Sequence, residues 1–239
     1  IPIFEELQSR QLDSLGPDHP RTRLISANLG VNYASAGRCE EAIVRLELAC
    51  NAAIKNPELN FAALPLLNCY VKLGRTAAAK AFGPRLLVLL KATEKSSSPS
   101  LSDALANAAA AYACAGMFED AEPFLRELDA MRAPELWQTA RSRSWLAEKI
   151  ADYAAGNADA PLAERVRMMD VAEGLVLEAV EGTTPGAEPN PERAEYLRSA
   201  TIRAANLYKQ RKTLEPDKGY DEPAKEWRKK ARELEKATK

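Results

Sequence analysis

The apolar and small residues of this chain recur in a fixed order. Leu29-Gly30, Tyr33, Gly37, Ala42, Leu46 and Ala49 form one copy. Leu66, Tyr70, Gly74 and Ala79 form a second, and Tyr112, Gly116, Ala121 and Leu125 a third. In each copy Gly follows Tyr by four residues and Ala follows that Gly by five. Self-similarity at fixed spacing marks stacked helical hairpins, each burying its apolar face on its neighbours. The predicted class is all-α: a right-handed α-α superhelix of about five hairpins preceded by one unpaired helix.

The punctuation between apolar stretches places the elements. Asn56-Pro57-Glu58 and Asn190-Pro191-Glu192 put Asn at a helix N-cap, Pro at the first helical position and an acid behind it. Ser100-Leu101-Ser102-Asp103 has capping-box spacing after a loose Ser96-Ser97-Ser98-Pro99 linker. His19-Pro20 and Ala133-Pro134 mark two further starts. Gly37, Gly74 and Gly116 lie where one helix stops and the chain reverses. The predicted first helices span about 20–36, 57–73, 101–115, 134–154 and 191–211. Their partners span about 39–55, 76–94, 118–132, 162–182 and 221–237. The helix over 1–14 comes before them. The whole of 1–239 is expected to form one repeat domain, with hairpins at 20–55, 57–94, 101–132, 134–182 and 191–237.

The alanine after each turn serves as a ruler. Ala42 to Ala79 is 37 residues, Ala79 to Ala121 is 42, Ala121 to Ala172 is 51 and Ala172 to Ala224 is 52. The repeat therefore drifts toward the C-terminus. At the other end, Ile1-Pro2-Ile3-Phe4-Glu5 aligns with Glu122-Pro123-Phe124-Leu125-Arg126. Helix 1–14 is then the second helix of a hairpin, and the chain is expected to begin inside a repeat.

Composition narrows the function. Hydrophobic residues make up 46% of the chain, much of it Ala, and aromatics only 6%, which favours helix over sheet. The formal charge of −1 gives no global field to draw in nucleic acid. No stretch of 18 or more apolar residues is present, so no membrane span is expected. Cys39, Cys50, Cys69 and Cys114 form no C-x-x-C pair, and with a single histidine they complete no usual zinc site. They read as reduced thiols, which suits a cytoplasmic setting. The chain holds no G-x-S-x-G, no G-x-x-x-x-G-K-[ST] and no H-E-x-x-H. Glu40-Glu41 and Glu119-Asp120 are first-turn acids that favour the helix dipole, and His19 reads as a structural turn residue. No catalytic residue, cofactor or metal is expected. From Lys209 onward eleven Lys/Arg stand against seven Asp/Glu. The signs are interspersed at helical spacing, so this end reads as a solvated capping helix anchored by Trp227.

The order of residues from Leu29 to Ala49 resembles the tetratricopeptide repeat, and Leu15-Gly16-Pro17-Asp18-His19-Pro20 leading into Ala27-Asn28-Leu29 resembles the 42-residue variant of kinesin light chains. The segment from Pro134 to Ser144 and Lys225-Glu226-Trp227-Arg228-Lys229-Lys230 are similar to the closing part of arrays appended to bacterial serine/threonine protein kinases. The resemblance implies a groove lined by first helices that binds a protein or peptide, within a larger bacterial regulatory or signalling protein. It also implies that Asn28, Asn68 and Asn107 hold a ligand backbone, since an amide offers both donor and acceptor. The alternative for these residues is hydrogen bonding within or between helices. Arg141, Arg143 and Arg203 extend the same face with positive charge, or else pair with glutamates as helix-surface charges. Two other functions stay open: an assembly module working through hairpin edges, and a sensor with a closed small-ligand pocket.

Overall fold

The computed structural model describes residues 1–93, 98–131, 139–183 and 190–237. Among these residues every regular element is a helix. The order is α1 (Pro2–Leu15), α2 (Pro20–Ser35), α3 (Cys39–Ala53), α4 (Ala63–Lys72), α5 (Thr76–Thr93), α6 (Pro99–Ala113), α7 (Phe118–Ala130), α8 (Thr139–Gly156), α9 (Leu162–Thr183), α10 (Pro191–Leu214) and α11 (Asp221–Ala237). The expected helix start at Ala133-Pro134 lies outside the described residues. The chain divides into two compact units, Ile1–Ser96 and Ser97–Lys239.

In the first unit α2 pairs with α3 and α4 with α5, while α1 packs against α2. In the second unit α6 pairs with α7, α8 with α9 and α10 with α11. There the first helices α6, α8 and α10 also contact one another in series. Among the described residues the helices thus form five hairpins and one preceding single helix, in keeping with the expected all-α class.

The crossings explain why the repeat has its form. Ala42, Ala79, Ala121 and Ala172 are wholly buried, and Ala224 nearly so. A larger side chain there would hold the paired helices apart. Gly30 serves the same approach from the other side: a methyl group on it would lie 3.0 Å from Arg45 Cβ and 3.1 Å from Leu46 Cγ. Gly37, Gly74 and Gly116 take φ of 78°, 65° and 70°, the left-handed conformation that lets each hairpin reverse.

Three local details differ from the sequence expectation. The helix predicted over 57–73 begins as a 3₁₀ segment, Pro57–Ala62, before α4. Pro65 has no N–H for the Phe61 carbonyl and its ring crowds that oxygen, so the turn ahead of it tightens. Asn56 does not cap with its side chain; its Nδ2 donates to the Ala52 carbonyl instead, at 3.2 Å. Helix α6 starts two residues before the expected Leu101, because Ser98 Oγ accepts from the Leu101 N–H at 3.0 Å and Pro99 opens the first turn. Asn190 caps α10 as expected, accepting from Arg193 N–H at 3.0 Å. His19 caps α2, its Nδ1 accepting from the Arg21 N–H.

Consecutive pairs are joined by a contact between side chains. Tyr70 of α4 donates its hydroxyl to Glu47 of α3 at 2.6 Å. Tyr33 of α2 donates in the same way to Glu5 of α1. Glu5 therefore stands to Tyr33 of α2 as Glu47 stands to Tyr70 of α4. In the second unit Tyr208 of α10 donates to Glu173 of α9, which also pairs with the buried Arg211 guanidinium. Trp227 and Leu234 of α11 pack against Ala140, Ala179, Val180, Leu197 and Ala200. The cysteines are free thiols, three of them buried. Burial pushes Cys50 up to about 12, and burial together with the neighbouring Cys39 thiol does the same for Cys69, so both stay protonated and unreactive at neutral pH.

The glycines make this packing testable. Gly174→Ala meets no atom within 4 Å in α9 and should stabilise the protein by about 0.5–1 kcal/mol through helix propensity. Gly30→Ala brings the same propensity gain but forces α3 outward, and should destabilise by about 1–2 kcal/mol net. Ala121→Leu should cost about 1–3 kcal/mol. Urea unfolding of the three variants checks the ordering; a stabilised Gly30→Ala would contradict the close approach of α2 and α3.

Candidate functional site

In the second unit the three first helices present a polar cleft. Its lining comprises Asp103, Ala106 and Asn107 of α6, Arg141, Ser142 and Trp145 of α8, and Arg203 of α10, around a volume of about 410 Å³. Small residues make this possible, because Ala106 leaves the floor of the cleft low beneath the longer side chains at its rim. A second cleft of about 230 Å³ shares Arg203 and continues between α8 and α10, over Ala147 and Ala151. Arg203 forms the wall common to both.

The charges of the cleft are already matched. The Arg141 guanidinium pairs with the Asp103 carboxylate, whose charge holds the arginine's pKa above its ordinary value. Ser142 Oγ donates to the other Asp103 oxygen at 2.6 Å. Arg141 also lies 6.0 Å from the centre of the Tyr196 ring. Arg203 donates to Glu148 from Nε at 3.1 Å and to Ser144 Oγ from Nη1 at 2.9 Å. Two cations thus face two carboxylates, each pair bridging neighbouring first helices. Such pairs add little stability where exposed, but they fix the long side chains in place. Gln210 donates to Asp152 at 2.7 Å, adding one more link between α10 and α8.

The structure thus brings together Asn107, Arg141 and Arg203. Asn107 is exposed on α6, with its Nδ2 donating to the Asp103 carbonyl at 2.7 Å. One amide hydrogen and the Oδ1 face outward. Asn28, at the corresponding place in the first unit, is half-buried and makes the same bond to the Leu24 carbonyl at 3.0 Å. Asn68 is exposed on α4 and has no side-chain hydrogen bond among the described residues.

Arg143 does not join the cleft. It is buried, only 5% exposed, and donates to Thr139 Oγ1 at 2.8 Å and to the Leu128 carbonyl at 2.6 Å. Its Nε lies 3.8 Å from Glu178 of α9. Two residues from Arg141 on a helix is about 200° of rotation, which turns Arg143 into the layer of second helices. It fastens α8 to α7 and α9. Asp103, Ser142 and Trp145 complete this cleft and Glu148 lines the second, with no local sequence signal for that role. Arg141 and Asp103 are 38 residues apart, and no local signal joins them. Among the described residues, no group of three or more His, Cys, Asp or Glu is placed to hold a metal ion. No described helix is long and apolar enough to cross a membrane.

No protein-family model and no curated protein matches the sequence. Solved structures do. The crystal structure of a Podosopora anserina protein of kinesin-light-chain type, with nearly identical TPR-like repeats, superposes with a TM-score of 0.56 at 18% identity. The match covers 93% of this chain and 99% of that one. A single-substitution variant of the same protein gives a TM-score of 0.50 at 18% identity, covering 92% and 98%. The fold of the chain is therefore that of a TPR-like helical repeat.

The two neighbouring arginines of α8 should respond differently to truncation. Arg143→Ala strips a buried carbonyl and a half-shielded carboxylate of their partner and should destabilise by about 2–3 kcal/mol. Arg141→Ala, at the exposed rim, should change stability by less than about 1 kcal/mol. Denaturant midpoints compare them; equal losses would contradict the separate placements.

Proposed function

We propose that this chain is a non-catalytic binding module whose ligand is a protein segment or peptide in extended form. The observation that carries this reading is the pair of adjoining clefts over α6, α8 and α10, which share Arg203. Adjacent helices lie about 8–10 Å apart, so three of them present roughly 18 Å of width. An extended segment of about six residues spans that distance. Its backbone would meet the outward amide of Asn107 and the remaining donors of Arg141 and Arg203. In the first unit Asn28 and Asn68 offer further amides to a ligand backbone. The resemblance in sequence extends the proposal to a cytoplasmic regulatory or signalling protein of a bacterium, with this chain as its interaction part. No nucleic acid, membrane or cofactor has a role in it.

A second reading rests on α1. Ile3 is 80% exposed and Leu7 38% exposed, one helical turn apart. An apolar edge of that kind favours assembly through α1. Sedimentation of the chain with Ile3→Glu and Leu7→Glu distinguishes the two: a change of mass with concentration, lost in the variant, would favour assembly.

The test of the main reading uses a random octapeptide phage library panned against the whole chain. Selected peptides should lose at least about tenfold in affinity when Asn107, Arg141 and Arg203 are all changed to alanine, at on the order of 1 kcal/mol per lost hydrogen bond. Unchanged affinity would place recognition elsewhere.

A further inference from the structure

The charge arrangement of the α6/α8/α10 cleft, together with Trp145, says what kind of peptide it would accept. This inference rests on the peptide-binding reading above and sharpens it. Arg141 is held by Asp103 and Arg203 by Glu148, so each arginine of the cleft already faces a carboxylate. An anionic side chain approaching Arg141 must also approach Asp103, and one approaching Arg203 must approach Glu148. A cationic side chain meets the converse pairings. Either ion gains little by displacing a partner already in place, and it loses its own hydration. Charge therefore selects against both signs.

Trp145 supplies the positive choice. It lines the cleft among polar neighbours and is half-buried. Among the described residues its indole N–H has no hydrogen-bond partner. The Lys149 ammonium lies 5.9 Å from the ring centre, at the margin of a cation–π contact. A large rigid ring with an unused donor, set beside a neutral polar rim, matches the anatomy of a binding hot spot. We infer that the cleft recognises an extended, uncharged peptide segment through one apolar side chain seated on the Trp145 ring. The Trp145 N–H and the Asn107 amide hold the flanking backbone.

The octapeptide selection described above tests this with separate readouts. The recovered peptides should share one apolar residue and carry no net charge. Their affinity should change by less than about threefold between about 50 and about 500 mM NaCl. Trp145→Ala should weaken binding at least about tenfold. The chain holds three tryptophans. In the Trp137→Phe/Trp227→Phe protein Trp145 is the sole indole, and its emission should shift to the blue as the peptide excludes water. That signal reads the contact even if Trp145→Ala fails to fold. Selected peptides that need Asn107, Arg141 and Arg203 but leave Trp145 emission and affinity untouched would overturn this inference alone. So would charged peptides whose binding collapses with salt. Peptides indifferent to all four residues, or no selected peptide, would overturn the cleft as a peptide site and this inference with it.

Discussion

The constraint on which the structure depends is the distance between paired helices at their crossing. Ala42, Ala79, Ala121 and Ala172 are fully buried, and a methyl group on Gly30 would lie only 3.0 Å from Arg45 and 3.1 Å from Leu46 of α3. Close approach brings the larger residues around each crossing, such as Leu46, Tyr112 and Phe124, into continuous contact. Tyr112 and Phe124 stack with ring centres 5.6 Å apart. Because each hairpin buries one face against its own partner and another against the next hairpin, stability is passed from neighbour to neighbour rather than held in one centre.

That arrangement leaves the first helices of the second unit with a side that no other described element covers. Side chains there are free to serve recognition, since the core does not need them. The ion pairs Arg141–Asp103 and Arg203–Glu148 join one first helix to the next without filling the space above the alanines. The outcome is a rim with fixed geometry and balanced charge, in which Trp145 is the large apolar surface. Arg143 shows the contrast: the same residue type two positions away is spent entirely on packing.

Much of the fold was legible because its determinants are local. The Tyr–Gly–Ala spacing sets hairpin length, and Asn190 and His19 announce their caps within three residues. Helix α6 starts at Pro99 rather than Leu101 because Ser98 caps it and Pro99 takes the first helical position, a signal as local as the Ser100 alternative. The 3₁₀ entry to α4 follows from Pro65, a local signal that the apolar pattern overrode. The cleft was legible only in part. Asn107, Arg141 and Arg203 could be assigned to first helices, but the partners of the two arginines come from other hairpins, 38 to 59 residues away. Arg143 lies outside the cleft because two positions along a helix turn its side chain about 200° from Arg141.

A ligand held by these residues lies across α6, α8 and α10 in the proposed mode of binding. Photocrosslinking tests it most directly: a selected octapeptide carrying a benzophenone side chain is irradiated with the whole chain, and the attachment sites are mapped by mass spectrometry. A peptide seated in the clefts should give adducts at Asn107, Trp145 and neighbouring residues of those three helices. Adducts confined to α7, α9 and α11, or to α1, would contradict it.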